Sequence, residues 1–429
     1  MRENISIQVG KCGIKFGHEF WKQIASEHSV DPNCQKIYSK LAIKNEDIQN
    51  FFNETLSGFW TPRTILFDLD PREVRNLKNG NYSKFYPDDS IINTSDGSGN
   101  NWSNGYIRAL EINSKIEETF RKKSEQCDSV GSFSLFHSIS GGTGSGSSCV
   151  MLELIKEHFP GKIINCYSFI ANQNGHSDIV VQPYNSVLSM RWLYYYADCI
   201  TLFENESLSK IIQNGNKTSR INYNHLNSIA AKIVSTFTQP MRSQSYSETN
   251  LEGILSSLIP APNFHFLFAG VANYKILGEK KFSIDNFPKN IRQILGNKTV
   301  GSSWKSGRLI SSVYFLKNKG LVDINSMFLK KIYQNSEINY INWAPTSFQD
   351  VNSGFSKSSQ NNYCVDACFF NHTGIKEIFI KMGNQFDILK KRNAFVNSFL
   401  KEFSQRDGRE IFDESRESLE KLIIAYNNP

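Results

Sequence analysis

Ser140-Gly141-Gly142-Thr143-Gly144-Ser145-Gly146 stands directly between a strand-like run, FSLFHSI, and a helical one, SSCVMLELIKEHF. Glycines in that position let a backbone approach an anion closely and turn its N–H groups inward. The hydroxyls of Thr143 and Ser145 add donors, and the N-terminus of the following helix favours negative charge. A di- or triphosphate suits such a loop; the plain alternative is a flexible Gly/Ser turn. No Gly-Lys-Ser/Thr ends the run, so it is not a Walker A loop.

The surroundings of the loop favour the phosphate reading. Short β-rich runs at Ile5 to Val9, Thr64 to Leu69, Phe133 to Ser138, Lys162 to Phe169 and Cys199 to Phe203 alternate with helical patterns. Those patterns lie at Lys11 to Glu27, Ser103 to Cys127, Gly144 to His158 and Gln182 to Tyr196. Alternation of this kind predicts an α/β fold with a parallel sheet, helices on both faces and ligands at the carboxyl ends of the strands. Three more strand-to-helix loops offer small or polar residues at that edge: Gly10-Lys11-Cys12-Gly13, Asp68-Leu69-Asp70-Pro71, and Gly97-Ser98-Gly99-Asn100-Asn101-Trp102. A dinucleotide-binding Rossmann enzyme is the rival, with Gly10, Gly13 and Gly17 after the first strand. The glycine spacing is wrong for that fingerprint, and Asp68 lies far beyond the roughly 20-residue separation of a ribose-binding acid.

Further along, Leu226, Ile229, Ala230, Ile233, Val234 and Phe237 recur at helical spacing between Tyr223 and about Thr238 and predict a largely buried helix that joins two domains. Pro260 and Pro262 end another helical stretch, and strand character resumes at Phe264 to Ala269, opening a mixed region to about Phe370. The remainder is helical, with Leu419, Leu422, Ile423 and Tyr426 on one face behind first-turn acids Asp413 and Glu414.

Composition excludes several classes. A chain of 429 residues with 39% hydrophobic content suits two or three packed domains rather than disorder. No window approaches the roughly 20 apolar residues of a membrane span, and the N-terminus lacks a signal peptide's apolar stretch, so a soluble intracellular protein with no membrane partner is expected. The eight cysteines are scattered and read as reduced thiols; Cys364 and Cys368 read better as strand residues than as half of a zinc site. A net charge of +7 is spread along the chain with acids between, which argues against a nucleic-acid partner.

The ordered set of motifs resembles the tubulin family. MREN at the N-terminus, GSGNNW, GGTGSG, the run from Ser177 to Ser189 and Pro260-x-Pro262-x-x-His265-Phe266 occur in tubulin order and spacing. GSGNNW-x-x-GY, the CDS stretch at Cys127, VVQPYNS and SLEKLIIAY look most like the delta branch and the related eta branch. The resemblance implies a GTP-binding domain over 1–222, a core helix over 223–242, an intermediate domain over 243–371 and a C-terminal helical layer over 372–429. It also implies GTP or GDP held with Mg²⁺ at a head-to-tail interface with other tubulin subunits. Gly10, Lys11 and Cys12 match the first phosphate loop, Asp68 and Asp70 the loop at the magnesium and terminal phosphate, and Gly99, Asn100 and Asn101 the next. Ser140, Gly141, Gly142, Thr143, Gly144, Ser145 and Gly146 match the glycine-rich signature. Ser177, Asp178 and Gln182 match the sugar side, and Asn205, Tyr223 and Asn227 the base-reading groups. On residues alone, a ring one turn from an amide offers a stacking face beside a hydrogen-bonding group, or simply begins a helix.

Departures from the family pattern are as informative. Lys11 replaces a usual glutamine, so its ammonium either meets the polyphosphate or turns to solvent. Gln182 stands at a position that is acidic in alpha and beta tubulin, and Ser140 replaces a glycine. The family's water-positioning acid, donated to the neighbour's nucleotide, aligns with Gly253; Glu252, one residue earlier and about 100° away around the helix, is the catalytic candidate there if a small register shift brings it to that point. The expectation is a delta-like structural subunit of centriole or basal-body microtubules, cytoplasmic and cytoskeletal, with centriolar or basal-body partners and weak or partner-dependent hydrolysis. A soluble regulator or capping factor outside the lattice is the alternative, and a self-assembling GTPase a third reading.

Overall fold

The computed structural model describes residues 2–37, 48–171, 179–215, 221–242, 250–272, 307–316, 339, 341, 343, 348–352, 366–401, 403 and 405–429. Twelve strands lie among them: β1 Glu3–Val9, β2 Phe52–Glu54, β3 Trp60–Pro62, β4 Thr64–Asp68, β5 Ile91–Asn93, β6 Val130–Ser138, β7 Ile163–Ile170, β8 Cys199–Glu204, β9 Phe266–Ala272, β10 Leu309–Leu316, β11 Phe348–Asn352 and β12 Asp366–His372. The α-helices are α1 Gly10–Glu27, α2 Pro71–Lys78, α3 Trp102–Glu111, α4 Asn113–Glu125, α5 Gly142–His158, α6 Gln182–Tyr196, α7 Asn205–Gly215, α8 Tyr223–Thr238, α9 Leu251–Leu258, α10 Lys376–Lys391, α11 Val396–Leu400 and α12 Gln405–Asn427.

Ten strands form one sheet in the order β11-β10-β12-β9-β8-β7-β6-β1-β4-β5, and β2 and β3 make a separate hairpin. From β5 through β9 every neighbouring pair is parallel, while β12 runs antiparallel to both β9 and β10. The expected α/β architecture is therefore present, and the parallel run puts the carboxyl ends of β1, β4, β6, β7 and β8 on a single edge. Strand periodicity explains why both faces are covered. Ile5, Ile7 and Val9 of β1 join Phe133 and Leu135 of β6 in a core shared with α3, α5, α6 and α12. On the other face Leu66, Phe136, Tyr167 and Phe203 pack with α1, α7, α8 and α9. The polar alternates of β1 are buried and meet across the sheet: Ser6 Oγ donates to Thr64 Oγ1 at 2.8 Å, and Gln8 Nε2 donates to the same oxygen at 2.9 Å.

Helices α1 and α8 run parallel, because both carboxyl ends meet one buried cluster. Arg242 Nη2 donates to Glu27 Oε2 at 2.9 Å, Ser235 Oγ donates to Glu27 Oε1 at 2.6 Å, and Arg242 Nη1 donates to His28 Nε2 at 2.9 Å. Gly10 and Tyr223, at the amino ends of these helices, consequently lie toward the same end of the molecule.

Two expectations change. The helix expected over Ser103 to Cys127 is broken at Ile112, whose backbone (φ −106°, ψ 20°) separates α3 from α4. Asp413 and Glu414 are not first-turn residues, since α12 starts at Gln405; Glu414 pairs with Arg191 of α6, and Asp413 with Lys390 of α10. The apolar face of that helix is as expected, with Leu419, Leu422, Ile423 and Tyr426 buried. Cys368 is a buried residue of β12, Cys364 lies outside the described residues, and all described cysteines are free thiols. No described helix is long and apolar enough to cross a membrane.

Candidate functional site

Four loops converge at the carboxyl edge. Gly10 turns the chain from β1 into α1 with φ +69°, and a Cβ there would stand 3.0 Å from the amide nitrogen of Gly144. Loops 97–101 and 140–146 press together more closely: Ser98 Oγ lies 3.0 Å from Thr143 Oγ1, and a Cβ on Gly142 would sit 2.4 Å from both Asn101 N and Ser98 Oγ. On α5, a Cβ on Gly144 would meet Ser138 O at 2.8 Å and one on Gly146 would meet Trp102 O at 2.1 Å. These glycines are required by backbone packing between loops as well as by any ligand. Around Gly141 nothing lies within 4 Å of a Cβ, so the loop is open there. Gly99 (φ +59°) and Asn100 (φ +58°) are exposed in left-handed conformations beside it.

The first-turn N–H groups of α5, which no helical carbonyl can satisfy, start at this opening and are of the kind that suits an anion. The hydroxyl expected as a donor at Ser145 is not available for it. Buried Ser145 Oγ donates back to the carbonyls of Gly141 and Gly142, leaving only the backbone N–H of that residue. The hydroxyl of Ser140 is equally structural, accepting from Ala171 N at 3.0 Å. Asn101 is used at both ends: Oδ1 accepts from Ser103 N at 2.9 Å and caps α3, while Nδ2 donates to Ser398 O at 3.0 Å. Gln182 is buried and donates from Nε2 to Ala171 O at 3.3 Å. Ser177 and Asp178 lie outside the described residues.

Two positioning residues have no counterpart in the sequence reading. Asn185 of α6 donates from Nδ2 to Asn100 O at 2.8 Å and to Ser140 O at 3.0 Å, and accepts from Trp102 N at 2.9 Å, tying the two glycine loops together through one amide. His137 of β6 contacts Gly144 O through Nδ1 at 3.0 Å and Ser168 Oγ through Nε2 at 2.8 Å. A carbonyl only accepts, so Nδ1 carries the proton and the ring is neutral; burial holds its pKa down at about 4. The only local signal for either was membership of a strand or a PYN motif.

Asp68 and Asp70, paired in the sequence reading as metal ligands, differ sharply. Asp70 caps α2 by accepting from Arg72 N at 3.0 Å and is held by the Arg72 guanidinium, first through its hydrogen bond, which pulls its carboxyl below the usual range. Asp68 is buried, and desolvation pushes its pKa up to about 7. Its Oδ1 accepts from Asp70 N at 3.2 Å, while buried Oδ2 has no donor among the described residues. An acceptor of that kind fits Mg²⁺, which keeps several waters and takes one or two carboxylates plus phosphate oxygens. Among the described residues no group of three or more His, Cys, Asp or Glu gathers as a closed metal cage. Because folding raises the pKa of this acid, the native chain keeps a proton that the unfolded chain loses between about pH 4 and 7. Its contribution to stability therefore falls as pH rises through that window. Asp68→Asn is expected to flatten this loss and to stabilise the ligand-free chain at pH 8 by up to about 4 kcal/mol. Thermal unfolding midpoints from pH 4 to 8 check it; parallel curves for the two proteins would contradict it.

Lys11 is 70% exposed, with its ammonium 3.5 Å from Glu73. The half-buried thiol of Cys12 is pushed up to about 12 by desolvation and stays protonated. Asn205 opens α7 directly after β8, half-buried. Tyr223 begins α8 and is 71% exposed, and Asn227, one turn on, is buried. Glu252 lies elsewhere: it is ion-paired with Arg2, at the amino end of β1. Seven residues of strand, about 23 Å, separate that end from Gly10.

Glycine-lined loops at one edge of a parallel sheet, each feeding a helix N-terminus, with an exposed ring and a buried amide at the same end, define a nucleotide-binding α/β domain. Residues 3–213 match the family model described as Tubulin/FtsZ family, GTPase domain. That match supports membership of the Tubulin/FtsZ family for residues 3–213, the whole fold is consistent with a tubulin-like one, and the family implies GTP or GDP as ligand.

Proposed function

We propose that this chain is a divergent, delta-like tubulin, a GTP-binding structural subunit of centriole or basal-body microtubules that stacks head to tail with other tubulin subunits. The observation that carries the stacking is the separation of parts. The phosphate loops occupy the carboxyl edge of the sheet, whereas Glu252 and Gly253 of α9 belong with Arg2 at the amino edge. A group at the amino edge reaches a nucleotide only in another subunit, and proteins of the tubulin family polymerise with other tubulin subunits. The delta-like and centriolar part of the reading rests on the sequence motifs. In this reading the boundaries are 1–222, 223–242, 243–371 and 372–429, with the guanine read by Asn205, Tyr223 and Asn227 and the sugar met by Ser177, Asp178 and Gln182. Magnesium at Asp68 would neutralise charge on the terminal phosphates. Lys11 would add an ammonium to the same phosphates by exchanging its partner Glu73.

A site built on buried amides rejects a base whose donors and acceptors do not match, because its own groups are then left unpaired. Calorimetry is expected to find GTP bound at least about 100-fold more tightly than ATP. Tyr223→Ala should weaken GTP by roughly 1–3 kcal/mol through lost stacking. Equal affinities for the two nucleotides would remove Asn205 and Asn227 from the base site. Localisation of a tagged protein at ultrastructural resolution tests the assembly reading. Signal in centriole or basal-body walls supports it, and a uniformly soluble pool would favour a GTP-binding regulator or capping factor that does not enter the lattice.

A further inference from the structure

Two lysines share one carboxylate at the carboxyl edge of the sheet. Lys11 and Lys15 lie one turn apart on the same face of α1, and their ammonium groups stand 3.5 Å and 3.2 Å from a single oxygen, Oε1 of Glu73 in the first turn of α2. Among the described residues no other acid comes within ion-pair distance of either lysine, so two like charges crowd one counter-charge. Arg72, the neighbouring cation on α2, is already held by Asp70. The three groups differ in freedom. The Glu73 side chain is only 14% exposed and its Oε2 accepts from Asn76 Nδ2 at 3.5 Å, whereas the Lys11 and Lys15 side chains are 70% and 44% exposed. The carboxylate is fixed, and the ammonium groups on their flexible stems are free to swing.

The placement of the pair supplies a use. Lys11 follows Gly10, where a Cβ would stand 3.0 Å from the amide nitrogen of Gly144, so its stem starts beside the open first turn of α5. A lone lysine that left Glu73 for a phosphate would strand a poorly hydrated carboxylate, a cost that offsets the new contact. Here Lys15 stays behind and keeps Glu73 paired.

We infer that Lys11 and Lys15 are a resident cation pair through which this chain binds the triphosphate of its nucleotide with little need of a divalent ion: Lys11 moves from Glu73 onto the phosphates, and Lys15 remains on Glu73 as its counter-charge. The inference rests on the GTP-binding reading above. An ammonium balances phosphate as a point charge, without the octahedral geometry that Mg²⁺ demands. Lys11 thus sets the metal dependence of the site, and Lys15, acting through Glu73, is a positioning residue.

Calorimetry of GTP binding to the full chain, in excess Mg²⁺ and in EDTA, tests it. Removal of the metal should weaken binding to the wild type by no more than about threefold and to Lys11→Gln by at least about tenfold, the low end for a hydrogen bond to a charged group. Lys11→Arg, which keeps the charge, should retain the wild-type ratio. Lys15→Gln should weaken metal-free binding by about threefold in the wild-type background and have no effect beside Glu73→Gln, where there is no carboxylate left to strand. Loss of GTP binding by the wild type in EDTA alone, or a metal dependence of Lys11→Gln equal to that of the wild type, overturns the inference and leaves GTP binding intact. An effect of Lys15→Gln that persists beside Glu73→Gln overturns the sharing of Glu73. No GTP binding in either solution removes the nucleotide reading itself, and this inference with it.

Discussion

Gly253→Glu is expected to raise GTP turnover in the subunit that receives this chain's α9 by about 10²- to 10⁴-fold, the range for correctly placed general acid–base assistance. The position is open, with nothing within 4 Å of a Cβ, so a carboxylate would project into free space. Glycine is also the poorest ordinary helix former, and its replacement in α9 should not cost stability. The carboxylate already present one residue earlier points about 100° away around the helix and is held by Arg2. Single-turnover hydrolysis in a reconstituted pair with a tubulin partner measures the effect. Glu252→Ala should leave the slow wild-type rate unchanged. Rapid wild-type turnover abolished by Glu252→Ala would instead make Glu252 the working acid.

Gly142→Ala should lower thermal stability and weaken nucleotide binding roughly 5- to 150-fold, while Gly141→Ala, one residue earlier, should leave thermal stability unaltered. At Gly142 the added Cβ would stand 2.4 Å from Asn101 N and 2.8 Å from Asn100 C, backbone atoms that cannot rotate aside. Loops 97–101 and 140–146 would have to part, breaking the amide bridge from Asn185 to both. Overpacking of this kind typically costs about 1–3 kcal/mol, and the loops that separate are the ones that face the phosphates. At Gly141 a Cβ meets no atom of the described residues within 4 Å, so a loss of GTP affinity there without a loss of stability reports contact with the ligand. Paired melting curves and calorimetry distinguish the two positions; equal behaviour would show that the loops are not held together as described.

Long periodic segments were the most legible part of the chain. The expected ranges of α6 and α8 match the observed ones, because buried apolar positions repeat through them without interruption. The break at Ile112 was not legible: no glycine or proline marks it, and the chain turns there so that Ile116 and Phe120 reach the core that Trp102 and Ala109 already occupy. Strand β5, three residues in a polar stretch, carries too little pattern to be read and exists through its pairing with β4. In the site, glycine placement was readable because backbone approach needs the missing side chain. The roles of hydroxyls and amides were not. Ser145 and Asn101 look like ligand donors in one dimension and are engaged by nearby carbonyls in three, whereas Asn185 and His137 act across loops far apart in the chain.

The placement of nucleotide loops and α9 at opposite ends of β1 makes the molecule a vector, and a row of stacked vectors has unlike ends. In the proposed head-to-tail reading each junction would belong chemically to two owners, one that stores the nucleotide and one that sets its lifetime. Gly253 would alter only the second ownership. A single copy inserted in a row would therefore slow the clock at one junction and leave the other to its neighbour. Placed last with its α9 surface outward, it governs no clock at all; placed last with its loops outward, it preserves the triphosphate of the subunit beneath it. The same substitution is silent at one terminus and decisive at the other, so orientation alone would determine whether this subunit acts as a bystander or as a seal.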